Sequence, residues 1–396
     1  MPIRVLLRDL SSRCARPLSG LICLLLAGCA GMPSSQPLTR AEREWVLQGA
    51  GLIEPRRVDD LPTPASLLAV SEPMRAFAQR SVAGISGTSA RLDALTRAMN
   101  GDDGLGLRYD ALATLSAEQA FIQRRANCLS YTMLLVALGR EVGIDVRFNE
   151  VDVPPIWDLR DETRDGFLMY RHINARVESS VTRFLIVDVT PQEYDGNFPQ
   201  RVISDRQALA QYYNNRAIER LGDGSPEAAL PYALRGLSLD EEPAYLWTNL
   251  AHLYLRLGQP AAAEAAVRRG LQLDPADSSA YGTVASVYDA LKQPSTAARF
   301  RRAAERAQQR NPYYHYQLAR QSLERGDDLL AYQQMRRAMK LDAHDHRFFF
   351  LMGVILARLD QMELARSSIE VAIQLSSDPQ QQSRYRSKLQ RLRPLS

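Results

Sequence analysis

A 34-residue period in the second half of the chain constrains its fold more than any other feature. Ala229, Ala263, Ala297, Ala331 and Ala365 recur at that spacing. A second small row runs Ala217, Ala251, Ala285, Ala319 and Gly353, and a third runs Gly236, Gly270, Ala304, Ala338 and Ala372. Bulky residues keep the same period at Tyr213, Trp247, Tyr281, His315 and Phe349. Small side chains at fixed positions let paired helices approach closely, and aromatic ones fill the gaps between successive pairs. Residues from about 209 to about 379 are therefore expected to stack as five helix pairs, followed by a polar C-terminal cap.

Trp247, Leu250, Ala251, Tyr254, Ala263, Gly270 and Pro275 stand in one unit at spacings that resemble the tetratricopeptide repeat. Leu257-Gly258 marks the turn inside that unit and Asp274-Pro275 its end. The last three units lack the terminal proline, and the first carries Arg216 and Arg220 at positions usually apolar. The resemblance implies a concave surface that binds a peptide or protein partner. Tyr213, Tyr245, Trp247 and Tyr281 are the candidates to line it, with packing between repeats as the competing reading. His344 and His346 lie near Asp342 and Asp345, and we read them as an inter-helix loop rather than a metal cluster.

The N-terminus bears on compartment. Arg4, Arg8, Arg13 and Arg16 precede an apolar stretch, Leu18 to Ala27, too short to span a bilayer and suited to an export signal. Leu26-Ala27-Gly28-Cys29 resembles the lipobox of bacterial lipoproteins. That resemblance implies cleavage before Cys29, acylation of its sulfur, and a lipid tether instead of a transmembrane helix. With Ala30 in place of aspartate, the same resemblance implies an outer-membrane anchor facing the periplasm, and Gly31 to Pro37 reads as a flexible tether. Without residues 1–28 the chain holds 45 basic and 44 acidic side chains, so no nucleic-acid partner is implied.

Processing would also leave Cys128 as the one thiol not carrying lipid. An oxidising compartment usually pairs its cysteines, so an unpaired one is either core packing or a nucleophile. Ser116-Ala117-Glu118-Gln119 has capping-box form, and the helix it opens is expected to stop near Arg125. Asn127 then caps a hydrophobic helix with Leu129, Met133, Val136 and Ala137 as its buried stripe. Cys128 falls in its first turn, where the helix dipole and free amides favour a thiolate and can hold an oxyanion.

Beyond Gly143 the period becomes two. Ile144, Val146 and Phe148 alternate with Asp145, Arg147 and Asn149, and Glu150 and Asp152 read as a solvated strand face. After a Pro-rich charged loop (Pro154 to Gly166), strands are expected over Phe167–Val177 and Phe184–Val189, joined through Glu178–Thr182. Centring that hairpin on Ser180 places His172 directly opposite Asp188. A base and its orienting carboxylate need such a pairing.

A cysteine opening a hydrophobic helix, then a histidine and an aspartate on adjacent antiparallel strands, resembles the transglutaminase-like superfamily. The likeness spans roughly 105–195 and is sharpest at Asn127-Cys128-Leu129-Ser130-Tyr131. It is similar especially to the bacterial branch that joins such a domain to tetratricopeptide repeats. It implies an α+β domain with helices packed on a small antiparallel sheet, followed by an all-α solenoid. The partition is 1–28 signal peptide, 29–60 tether and N-terminal segment, 61–205 transglutaminase-like domain, and 206–396 repeats and cap. It further implies Cys128 as nucleophile, His172 as base and Asp188 as its orienter, with Asn127 and Asn174 as oxyanion or positioning groups. The implied activity is peptidase or amidase chemistry on a protein or peptide carboxamide, with no metal or organic cofactor. Asn174 departs from the aromatic residue many members carry there, and no calcium site is visible; both weigh against protein cross-linking. A scaffold without catalysis, acting only through its repeats, is the rival from another class.

Overall fold

A computed structural model describes residues 4–9, 37–52, 56–152, 171–180, 183–189, 198–376 and 379–392. Cys14, Cys23, Cys29 and residues 153–170, which include the expected charged loop and the first residues of the strand expected from Phe167, lie outside the described residues. The elements are β1 (Arg4–Asp9), α1 (Arg40–Leu47), α2 (Arg56–Asp59), α3 (Pro64–Leu67), α4 (Glu72–Ser81), α5 (Thr88–Asn100), β2 (Arg108–Tyr109), α6 (Ala117–Gln123), β3 (Arg125–Ala126), α7 (Cys128–Glu141), β4 (Val146–Val151), β5 (His172–Ser180), β6 (Arg183–Asp188) and β7 (Gln200–Ile203). Paired helices follow: α8 (Asp205–Gly222) with α9 (Pro226–Leu239), and α10 (Ala244–Arg256) with α11 (Pro260–Leu273). Then come α12 (Tyr281–Ala290), α13 (Pro294–Arg310), α14 (Pro312–Glu324), α15 (Asp328–Leu341), α16 (His346–Arg358), α17 (Met362–Leu375) and α18 (Pro379–Arg391). The chain divides into two compact units, with the break between Ala297 and Ala298.

In the first unit a five-stranded antiparallel sheet runs in the order β1-β6-β5-β4-β7. Strand β1 belongs to the segment read as an export signal, and it forms one edge of the sheet beside β6. Val146, Phe148, Ile173, Ala175, Val177, Leu185 and Val187 join the core that receives α7. That helix is buried all round from Leu129 to Gly139, where a stripe on one face was expected. Leu129, Leu134, Leu135 and Leu138 have no exposed surface, each contributing about 2 kcal/mol by removal from water. Gly139 faces Val146 so closely that a Cβ would strike its side chain, so glycine sets how near the helix comes to the sheet.

The first repeats pack into that same unit. Gln211 on α8 donates to Glu150 at 2.5 Å, Glu219 accepts from the Thr114 amide at 3.1 Å, and Arg140 pairs with Asp205 at 2.6 Å. Helix α1 lies against α9 and α11, held by Arg43–Glu241 and Arg268–Glu42 ion pairs and by the Tyr254 hydroxyl donating to the Val46 carbonyl. Glu150, expected on a solvated face, is 9 % exposed and bound by Arg201 on β7 as well as Gln211. A buried carboxylate requires such partners; Asp152 is exposed, as expected.

The expected alanine row, Ala229 through Ala365, is fully buried. A Cβ on Gly270 would stand 3.2 Å from the Ala244 carbonyl, and one on Gly236 would stand 3.1 Å from the Ala210 carbonyl. Those close approaches are what the small rows permit. Helices α14 to α17 in the second unit pack on one core around Met335, Phe348, Met352 and Ile355.

Candidate active site

The turn before α7 is built to hold Cys128 at a helix mouth. Ser116 caps α6 in a capping box with Gln119, and Arg124 ends that helix in the left-handed region at φ 55°. Asn127 Oδ1 accepts from the Ser130 amide at 2.9 Å, and its Nδ2 donates to Thr114 Oγ1 at 2.8 Å. Ser130 Oγ donates to the Ala113 carbonyl at 3.0 Å and accepts from the Leu115 amide at 2.7 Å. The first turn is thereby stitched to residues 113–115. Cys128 is partly exposed and is a free thiol. Both ends of the Asn127 amide are engaged in fixing the start of α7.

His172 and Asp188 meet. Imidazole Nε2 lies 2.6 Å from Asp188 Oδ2, with 2 % and 8 % of the side chains exposed. The Cys128 sulfur lies near enough to the same ring to favour its charged form; with Nε2 on the carboxylate, Nδ1 is the nitrogen left to face the sulfur. Burial pushes the imidazole down, but the adjacent Asp188 charge, its hydrogen bond and the Cys128 sulfur outweigh that and raise it from 6.5 to about 10. The ring thus stands hydrogen-bonded to the carboxylate on one side with the Cys128 sulfur beside it.

The expected register is not the one found. Ala175 stands opposite Val187 and Val177 opposite Leu185, with an irregularity between Glu178 and Ser180. This ladder is shifted by two residues and sets Asn174, not His172, beside Asp188. A two-residue shift preserves the face, so His172 still reaches the carboxylate along the diagonal. Asn174 Nδ2 donates to Asp188 Oδ2 at 3.1 Å, which makes it a group that positions the carboxylate.

The aromatic residues expected to line a partner groove are mostly interior. Tyr213 and Trp247 have no exposed surface and Tyr245 has 4 %. The Tyr213 hydroxyl donates to the Pro62 carbonyl, Trp247 Nε1 donates to the Glu241 carbonyl at 2.8 Å, and Arg171 sits over the Tyr245 ring. Their bulk packs the helix pairs together, and only Tyr281 is partly exposed. His344 is exposed, whereas His346 is buried with Nδ1 2.8 Å from the Tyr385 hydroxyl. Among the described residues no group of three His, Cys, Asp or Glu side chains is placed to hold a metal ion, and no helix is long and apolar enough to cross a membrane.

Residues 220–287 match the tetratricopeptide repeat family model. No curated protein matches the chain. Similar solved structures include the Pseudomonas aeruginosa protein pilF, 16 % identical, covering 49 % of this chain and 96 % of that one at a TM-score of 0.26. YrrB, described as a TPR protein with an unusual peptide-binding site, is 19 % identical and covers 45 % and 92 % at 0.24. MamA from Desulfovibrio magneticus RS-1 is 21 % identical and covers 43 % and 96 % at 0.24. The paired helices within residues 220–287 are tetratricopeptide repeats.

Proposed function

We propose that this protein is a lipid-anchored periplasmic thiol enzyme of transglutaminase-like character, a peptidase or amidase whose repeats engage a protein partner or substrate. The observation that carries the catalytic half is the line from the partly exposed Cys128 through His172 to the buried Asp188. Asp188 holds the ring and stabilises its imidazolium form, so the proton of the thiol rests on His172 when sulfur attacks.

Sulfur adds to a carboxamide carbonyl, and first-turn amides of α7 receive the oxyanion. The C–N bond breaks as His172 returns its proton to the leaving amine, giving a thioester. Water, deprotonated by His172, then releases the carboxylic acid and restores the thiol. An amine in place of water gives transamidation; hydrolysis is the simpler course, since it needs no second acceptor site. Cleavage before Cys29 would remove β1 and leave β6 as the outer strand of the sheet. A Cys29→Ala chain should leave the membrane fraction.

A second reading, an envelope scaffold without catalysis, is favoured by one finding: the family match falls in the repeats and not on the sheet domain. The two readings separate on 4-nitrophenyl acetate. The enzyme gains one acetyl group, mapped to Cys128 by mass spectrometry, and turns it over. A chain in which Cys128→Ala releases nitrophenolate as fast as wild type is a scaffold.

A further inference from the structure

Behind the Cys128–His172–Asp188 line lies a second line of buried amides. Asn174 is 3 % exposed and Asn149 is 0 % exposed, and they are direct cross-strand partners on β5 and β4. Asn149 Nδ2 donates to Asn174 Oδ1 at 2.7 Å and to Gln200 Oε1 on β7 at 2.9 Å. Asn174 Nδ2 in turn donates to Asp188 Oδ2 at 3.1 Å, the oxygen that also holds His172.

The direction of these amides is determined by chemistry. Turning Asn149 over would aim its carbonyl at two other carbonyl oxygens, so its donors must face them. With Asn174 Oδ1 so occupied, the Asn174 NH2 is the end that meets the carboxylate. The arrangement has a cost: Asn149 Oδ1 is buried with no partner among the described residues, a defect that burial ordinarily excludes. Two facing apolar residues would fill this rung without leaving an orphaned oxygen. The amide pair therefore does something that packing alone does not require.

We propose that Asn149 is a positioning residue, acting through Asn174 to fix the Asp188 carboxylate against His172, with Gln200 completing its hold. This rests on the thiol-enzyme reading for its effect on activity, though not for its effect on the ring. The relay draws on three neighbouring strands, and β7 runs directly into α8 of the first repeat. An amide that fixes one oxygen of a carboxylate limits the orientations open to the imidazole beyond it.

The test is a double-mutant cycle in the full chain with two readouts: the rate at which iodoacetamide alkylates Cys128, and the downfield Nε2-bound proton resonance of His172. Asn174→Leu is expected to slow alkylation about tenfold, the loss of one hydrogen bond to a charged group, and Asn149→Ala by a smaller factor, both moving the resonance upfield. Asn149→Ala should add nothing in the Asn174→Leu background, since its effect passes through that amide. Equal effects of Asn149→Ala in both backgrounds, or no movement of either readout in folded protein, overturn the relay. If Asn149→Ala does not fold, Gln200→Leu, which leaves Asn149 with Asn174 alone, should give a smaller shift in the same direction; an unmoved resonance there counts against the relay. A resonance that behaves as described in a protein whose Cys128 is inert to 4-nitrophenyl acetate keeps the relay and removes the enzyme.

Discussion

Asp188 is bound by His172 along a diagonal of the sheet, not across a rung. The rung belongs to Asn174, and both side chains converge on the same carboxylate oxygen, at 2.6 and 3.1 Å. The diagonal matters because it leaves the histidine at the start of β5, where Nδ1 can face the mouth of α7.

The buried pair makes stability depend on pH. The His172 imidazole is raised from 6.5 to about 10 in the folded chain. A raised group contributes stability that is complete below the unfolded value and is lost as pH rises through the folded one. Urea unfolding of wild type and His172→Gln should therefore differ most at pH 6, with the gap closing as pH approaches 10. A gap that widens over that range contradicts the ion pair.

The sheet domain depends on the first repeats. Removing α8 would strip Gln211 from buried Glu150, Glu219 from the Thr114 amide and Asp205 from Arg140, and uncover the core that Tyr212 and Tyr213 cover. A chain ending at Ser204 should lose its cooperative thermal transition, because it loses Tyr212 and Tyr213 from the sheet core and leaves Glu150 with Arg201 alone. A chain ending at Arg310 should retain one. Near-ultraviolet circular dichroism distinguishes the two outcomes.

In the second unit Gly353 marks a close approach of α16 to α17. A Cβ on Gly353 would stand 2.6 Å from Ile369 Cγ1 and 2.9 Å from the Ala365 carbonyl. Gly353→Val should destabilise that unit by about 1–3 kcal/mol through overpacking. Hydrogen exchange should show the loss in α16 and α17 while amides of the sheet keep their protection.

Much of this was legible in the sequence, for a physical reason in each case. The 34-residue rows report helix contacts that recur, so each unit repeats the signal. The caps at Ser116 and Asn127 are local, and their hydrogen bonds span three residues. The hairpin register was missed because its polar residues read as loop. The strands instead continue to Ser180 and resume at Arg183. That error left the face unchanged, which is why His172 and Asp188 were still brought together. Glu150 was misread because its partners, Arg201 and Gln211, lie 51 and 61 residues away and leave no local trace. Strand β7 has four residues, too few for an alternation to stand out. The aromatic row identified the repeat and misled on the groove, since periodicity marks a contact without telling core from surface.

The central claim is that the Cys128 sulfur is activated by the His172 ring. It is tested most directly by the second-order rate of iodoacetamide alkylation of Cys128 at pH 7 in wild type and in folded His172→Ala. The ring's role as proton acceptor predicts a fall of about 10²-fold or more. Equal rates in the two proteins would contradict it and leave a repeat scaffold with an idle thiol.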